Sequence, residues 1–190
     1  MKDLMIAFRV ALVTLVLTGI IYPFAVTGVA QAIFPEKANG SLIRNDKGEL
    51  IGSELIGQAF AGPSYFQPRL SAAGNGFDAA SSGGSNLGPS SRKLKERIQA
   101  DAERLLKENP GAKGPVPVEL VTASASGLDP HISPEAAAWQ IPRIAASRNV
   151  APGRIKQIVA SLTEGRDLGI FGEPRVNIIR LNLVLDKMGK

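Results

Sequence analysis

The stretch VALVTLVLTGIIYPFAVTGVAQAIFP, residues 10–35, decides the fold because it contains no charged residue. As an α-helix, residues 10–34 would be roughly 37 Å long, against a hydrocarbon core of ~30 Å in a bilayer. A helix of this length spans a bilayer with some tilt. Pro23 is expected to kink it, which membrane helices tolerate. The sequence therefore predicts one transmembrane helix over residues 10–34.

Two other interpretations of this apolar stretch are open. Lys2 and Arg9 precede it, and Ala30-Gln31-Ala32 has the small-x-small pattern of a signal-peptide cleavage site. The stretch is longer than the ~7–15 apolar residues of an ordinary signal peptide, however. A buried core helix is the third interpretation, although such helices seldom lack charge over this length. We favour the retained transmembrane span.

The charges that flank the span predict its orientation. Lys2, Arg9 and the amino terminus precede it, whereas Glu36 and Lys37 follow it and nearly cancel. Short loops rich in Lys and Arg stay in the cytoplasm. We therefore expect residues 1–9 to be cytoplasmic and residues 35–190 to form an extracytoplasmic domain.

The composition argues against nucleic-acid binding and against a metal site. The chain has 22 Lys+Arg and 17 Asp+Glu, a formal net charge of +5 at pH 7. This excess is typical of a solvated surface, including one near anionic lipid, and no basic block with interleaved aromatic residues occurs. One His and no Cys leave no ordinary His/Cys metal site.

Turn residues and periodicity predict an α+β domain after the span, with no internal repeat. Residues 41–45 and the apolar pieces around Leu50 and Leu55 favour short strands or a hairpin, with Asp46-Lys47-Gly48 as its turn. Residues 62–91 are rich in Gly, Ser and Pro and predict a long loop, which in a compact domain is usually functional or disordered.

Three helices are predicted in the rest of the domain. Apolar residues recur at helical spacing between a cap at Ser90 or Ser91 and the stop at Asn109-Pro110-Gly111. Ser133 before Pro134 is a helix start, and Pro142 is expected to end or kink that helix. Residues 152–164 predict the third helix.

Two further segments favour strands. Residues 118–123, VELVTA, resemble a buried strand, and apolar residues alternate with other residues over 176–186. A helix over 176–186 remains possible. The predicted fold is thus a single N-terminal transmembrane helix followed by one mixed α/β domain.

Sequence motifs for catalysis are weak. Residues 83–88, GGSNLG, approach a phosphate-binding loop, but Pro89 stands where that loop needs Lys. Ser126, Asp129 and His131 are hydrolase residue types, yet they lie within six residues on one predicted loop and cannot easily converge as a triad. No G-x-S-x-G nucleophile motif occurs. We predict no catalytic residue and no metal ligand.

Longer motifs follow one another along the chain after the apolar stretch. They are YFQPR (65–69), SGGSNLGP (82–89), SGLDPHISP (126–134), QIPR (140–143), VN (176–177) and LN (181–182). Together they closely resemble the C chain of the bacterial Kdp potassium-transporting P-type ATPase, nearly end to end. The chain departs from the family pattern only mildly, at Leu70, Phe77 and Ala125.

The resemblance implies an accessory, non-catalytic subunit of a complex in the bacterial inner (plasma) membrane. Its partners would be a channel-like potassium-binding subunit and an ATP-hydrolysing P-type subunit, with membrane lipid around them. ATP and potassium would be handled by the complex, and no cofactor is predicted to bind this chain itself. The family role is that of a catalytic chaperone that raises ATP affinity, with a nucleotide-related role for Gln140. ATP is cytoplasmic, whereas Gln140 is predicted to lie outside. We therefore expect this chain to raise the ATP affinity of the pump indirectly, through a coupling free energy of ~1–3 kcal/mol between the two sites.

The SGLDPHISP motif is predicted to be a rigid turn and helix cap beside a subunit interface. Trp and Arg are typical interface anchors. The interface candidates are Ser126, Gly127, Asp129, His131, Trp139, Gln140 and Arg143. In the alternative interpretation Trp139 is a core residue. The alternative function is an independent, membrane-anchored extracytoplasmic hydrolase.

Overall fold

The computed structural model describes residues 1–45 and 47–188. The chain divides into two compact units, Met1–Ser53 and Glu54–Lys190. The first unit is an apolar helix followed by a small hairpin, and the second is a mixed α/β domain. The expected N-terminal apolar helix and mixed α/β domain are therefore confirmed.

The first unit begins with one continuous helix, Lys2–Ile33, that is long and apolar enough to cross a membrane. Helix α1, Lys2–Val16, passes through a π-helical turn, Leu17–Ile21, into α2, Tyr22–Ile33. Pro23 lacks an N–H group and crowds the preceding turn, which accounts for a locally widened helix there. No residue of this helix is buried within the chain, so the core-helix interpretation is wrong.

The predicted hairpin follows the helix. After the short helix α3, Pro35–Ala38, strand β1, Leu42–Arg44, pairs antiparallel with β2, Leu50–Ser53. The Asn45 side chain accepts hydrogen bonds from the backbone N–H groups of Lys47 and Glu49, at 3.0 and 2.9 Å, and so fixes the turn. Asp46, which the sequence placed in this turn, lies outside the described residues.

The described part of the second unit contains five helices and a small antiparallel sheet. The helices are α4 Arg92–Glu108, α5 Val118–Val121, α6 Pro134–Arg148, α7 Pro152–Ser161 and α8 Ile178–Met188. Strands β3 His131–Ile132, β4 Thr163–Glu164 and β5 Arg175–Asn177 form the sheet in the order β3-β5-β4. Its core is built from large side chains that lie far apart in sequence, among them Phe66, Ile132, Ile144, Ile155 and Leu181.

Both predicted serine caps are confirmed. The Ser91 hydroxyl accepts a hydrogen bond from the N–H of Leu94, and the Ser133 hydroxyl accepts one from the N–H of Ala136 at 3.1 Å. Each satisfies a backbone donor that has no partner inside its helix. The loop over 62–91 is confirmed as well, since it contains no helix or named strand.

The predicted strand over 118–123 is wrong. Residues Val118–Val121 form one helical turn, which the Thr122 hydroxyl closes by donating to the carbonyl of Val118. Only Ala123 pairs as a strand, through an isolated parallel bridge to Leu70. Leu120 and Val121 are both buried, as in the predicted strand, but they pack into the core from a helical turn.

The ends of three other elements differ from the sequence-based expectation. Helix α6 does not end at Pro142 but continues to Arg148, because buried residues on both sides of Pro142 hold it in the core. Helix α7 ends at Ser161, and Glu164 belongs to β4. The strand favoured over 176–186 is wrong beyond Asn177, where α8 begins. The Asn177 side chain caps α8 by accepting from the N–H groups of Ile179 and Arg180, both at 3.1 Å.

Candidate functional site

Residues 62–69, which include the YFQPR motif, are held by side chains instead of by a neighbouring strand. The Gln140 amide of α6 accepts from the N–H of Gln67 at 2.8 Å and donates to its carbonyl at 3.1 Å. The Asn182 amide of α8 does the same for Phe66, at 2.9 and 3.0 Å. Each amide thus completes both backbone hydrogen bonds of one residue. We call residues 62–67 with the helix side chains that bind them the amide clamp.

Two arginines of α6 complete the amide clamp. The Arg143 guanidinium donates to the carbonyls of Pro63, at 2.9 Å, and Gly62, at 3.3 Å. It also donates to the side chains of Asn109 and Gln140, at 2.8 and 2.9 Å.

Farther along α6, Arg148 donates to the carbonyls of Ser64 and Leu185, at 2.7 and 2.8 Å, and pairs with Asp186 at 2.9 Å. Consecutive carbonyls of the loop therefore accept hydrogen bonds from one helix.

The Arg143 charge is buried, and no carboxylate among the described residues forms an ion pair with it. Burial lowers the pKa of the Arg143 guanidinium, and the charge of the nearby Glu108 acts in the opposite direction. An arginine stays protonated in a protein, so neutral carbonyl and amide oxygens must solvate this cation. This explains why two backbone carbonyls and two side-chain amide oxygens converge on it.

The amide clamp places three predicted interface candidates inside the domain. Gln140 is 1% exposed, Trp139 6% and Arg143 8%. Trp139 packs in the hydrophobic core, as the alternative interpretation expected, and its indole nitrogen has no hydrogen-bond partner in the described part of the chain. Trp139 also lines an open groove of ≈ 810 Å³ between residues 111–119 and the first turns of α6.

The SGLDPHISP turn packs backbone against backbone. A Cβ atom on Gly127, whose φ is +68°, would lie 2.7 Å from Ala73 and from the carbonyl oxygen of Gly83. The N–H of Gly83 donates to the carbonyl of Ser126 at 2.9 Å, and the N–H of Gly57 donates to Leu128 at 2.7 Å. The turn therefore joins three separate loop segments.

Asp129 and His131 contact each other, as their spacing permits. An oxygen of Asp129 accepts from the backbone N–H of His131 at 3.0 Å and lies 3.4 Å from its ring nitrogen Nδ1. The other oxygen pairs with Arg69 at 3.1 Å. Burial alone would raise the pKa of Asp129, but the hydrogen bonds from His131 and the charge of Arg69 outweigh it and lower that pKa.

Ser126 forms a different set of contacts. Its hydroxyl accepts from the N–H of Leu128 at 3.1 Å and lies 3.2 Å from the hydroxyl of Ser124. Both contacts stay within the turn, and no hydrogen bond joins Ser126 to His131 among the described residues. The three hydrolase-type residues thus form an Asp129–His131 pair and a separate turn hydroxyl.

Comparison with known proteins identifies the family. The family model "KdpC: K+-transporting ATPase, c chain" matches residues 4–187. This chain belongs to the KdpC family.

Curated relatives of the KdpC family extend over nearly the whole chain. The KdpC subunit of the potassium-transporting ATPase of Myxococcus xanthus is 59% identical over 181 residues, covering 95% of this chain and 86% of the relative. That of Koribacter versatilis is 49% identical over 185 residues, covering 97% and 94%. That of Geobacter sulfurreducens is 49% identical over 193 residues, covering 99% of each. The resemblance drawn from the sequence motifs is confirmed.

The sequence motifs of this KdpC chain included part of the amide clamp but did not reveal it. Asn182 stands in the stretch whose alternation favours a strand, and the structure places it in α8 and buries it to 1% exposure. Asn109 was interpreted only as a helix stop, yet its side chain binds Arg143. The sequence signal that could have revealed the amide clamp is a polar residue between apolar ones that are expected to be buried. An amide in such a position is buried as well and must find hydrogen-bond partners.

Proposed function

We propose that this chain is a non-catalytic, single-pass subunit of a high-affinity, ATP-driven potassium import complex. It stabilises the assembly and raises the ATP affinity of the ATP-hydrolysing subunit without contacting ATP. Membership of the KdpC family and the apolar N-terminal helix support the assignment to a membrane complex. The partners would be the channel-like potassium-binding subunit and the ATP-hydrolysing subunit, within membrane lipid.

The proposed topology follows from the flanking charges. Residues 1–9 are cytoplasmic, residues 10–34 span the bacterial inner (plasma) membrane, and the domain over residues 35–190 is extracytoplasmic. Lys2 and Arg9 support this orientation because positive charge is retained in the cytoplasm. The domain and cytoplasmic ATP then lie on opposite sides of the membrane.

The burial and the hydrogen bonds of the Gln140 side chain are the observation that supports the indirect mechanism. Both polar atoms of its side chain bond the backbone of Gln67, and the residue is 1% exposed. A nucleotide would have to displace these bonds and open the core to reach the amide. Gln140 therefore acts by fixing residues 62–67 against α6, and through them the shape that the domain presents to its partners.

An effect at a distance requires a coupling free energy between two sites. A coupling of ~1–3 kcal/mol changes affinity ~5–150-fold, and it needs only that the subunit bind one conformation of the pump better than another. A rigid domain suits this role because its contacts fit one conformation and are lost in the other.

Purification of the complete complex in mild detergent, with and without this chain, tests the proposal. We expect the chain to co-purify with larger membrane subunits and the complex lacking it to need more ATP for half-maximal hydrolysis. Gln140→Ala should weaken that effect together with the thermal stability of the chain, whereas Gln99→Ala, at an exposed position of α4, should change neither. Reduced ATP affinity in a Gln140→Ala complex of unchanged stability would instead support direct nucleotide contact.

A further inference from the structure

The loop between β4 and β5 exposes three large apolar side chains within four residues. Leu168 is 89% exposed, Ile170 72% and Phe171 64%. We call residues 168–171 the apolar tip. Elsewhere in the described part of the second unit, the large apolar residues that are more than half exposed stand singly, Val118 at 73% and Leu55 at 61%. Contiguous exposed apolar patches are uncommon on monomeric domains, and the largest ones often mark interaction sites.

The backbone holds the apolar tip in one conformation. Asp167 and Phe171 exchange two backbone hydrogen bonds, at 2.8 and 2.9 Å, which close the loop. Leu168 has a φ of +54°, a conformation that a bulky residue adopts only when its surroundings enforce it. A loop fixed in this way loses little conformational entropy when it binds a partner.

Carboxylates pair with the arginines beside the tip. Arg166 pairs with Glu173 at 2.7 Å, and Arg175 pairs with Glu164 at 3.1 Å and with Asp167 at 3.5 Å. The three carboxylates outnumber the two arginines. Surfaces that bind anionic lipid carry an excess of Lys and Arg, which this rim lacks. An apolar, aromatic-containing centre inside a polar rim is instead typical of a protein–protein interface.

We propose that the apolar tip inserts into an apolar cleft on a companion subunit of the ATPase. The inference rests on the proposed function, since it requires that the chain assemble with other subunits. Phe171 and Ile170 supply the buried contact area, and the Arg166–Glu173 and Arg175–Asp167 pairs surround it. The partner cleft is expected to be apolar and without net charge. The rim charges are already paired with each other, so a charged group in the cleft would find no free opposite charge on this rim.

Site-specific photo-cross-linking in the full complex tests the contact without disturbing the fold. A photoreactive phenylalanine analogue at position 171 should form an adduct with another polypeptide of the complex. The same analogue at Leu106, which is 50% exposed on α4, serves as the control for non-specific labelling. Adducts with lipid alone, or equal labelling of a polypeptide from both positions, would overturn the proposal.

A double variant then measures the contribution of the tip. Ile170→Gln with Phe171→Gln should reduce co-purification with the larger subunits at least about tenfold, as expected for central anchors of an interface. Leu106→Gln should leave it unchanged. If the wild-type chain co-purifies and the double variant does so equally well, the tip inference is wrong while the proposed function stands. If the wild-type chain does not co-purify, the proposed function is wrong and the tip inference falls with it.

Discussion

At the scale of single residues, Gln140 forms one of the links between α6 and the loop that carries the YFQPR motif. Gln140→Ala would leave the N–H and the carbonyl of the half-buried Gln67 without these partners and remove one acceptor from Arg143. An unsatisfied buried group costs about 1–3 kcal/mol. We expect the melting temperature of the full chain in detergent to fall by several degrees, since about 1 kcal/mol corresponds to ~2–4 °C in a protein of this size.

The matched control for this substitution is Gln99→Ala. Gln99 is exposed on α4, and its side chain donates to Glu103 at the surface. Its removal should shift the melting temperature by less than about 1 °C, because exposed pairs contribute little. Equal melting of the Gln140→Ala and wild-type chains would contradict the structural role of the amide clamp.

A second prediction at the residue scale concerns the thermal stability of the chain at low pH. The pKa of Asp129 is lower in the folded chain than the ordinary value of 3.8. A carboxylate with a depressed pKa stabilises the fold above its unfolded pKa, and this contribution is lost as pH falls through the folded pKa. We expect the melting temperature of the wild-type chain to decline more steeply below about pH 4 than that of Asp129→Asn. Melting curves between pH 3 and 6, with exposed Glu135→Gln as control, measure this difference; parallel declines in all three chains would refute it.

At the scale of elements, alanine substitutions at two glycines of the second unit are expected to change the stability of the chain in opposite directions. An alanine at Gly127 would place its Cβ 2.7 Å from backbone atoms of Ala73 and Gly83, at a φ of +68°. Gly127→Ala should therefore destabilise the chain by several kcal/mol, on the order of a severe core substitution. A Cβ on Gly153 in α7 would have no atom within 4 Å, so Gly153→Ala should stabilise by about 0.5–1 kcal/mol. Denaturant unfolding of both variants measures the two signs, and a mild effect at Gly127 would show that the turn can relax.

Elements whose signals were local could be predicted from the sequence. The apolar helix, the Ser91 and Ser133 caps and the hairpin at Leu42–Ser53 each depend on neighbouring residues. The amide clamp could not be predicted, because Gln140 and Gln67 meet across 73 positions of the chain. The alternation of apolar and other residues after Asn177 led to a wrong strand prediction for a related reason. Helical spacing also fits the buried residues of this segment, Ile178, Leu181 and Leu185. Only packing against the core decides between the two-residue period of a strand and the 3.6-residue period of a helix.

At the scale of the whole molecule, the proposed indirect mechanism depends on the side of the membrane that the second unit occupies. Lys2 and Arg9 precede the uncharged stretch of the apolar helix, and their charge predicts a cytoplasmic N-terminus. A tag after Lys190 should then be cleaved by protease added to intact spheroplasts, while a tag before Met1 should survive until the membrane is opened. Replacing Lys2 and Arg9 with Glu should lower the fraction of correctly oriented chains, since positive charge next to the first span largely sets its orientation. A C-terminal tag that stays protected in intact spheroplasts would place the domain beside ATP. The buried amide of Gln140 would then have to be reached from the cytoplasm through an opening of the core.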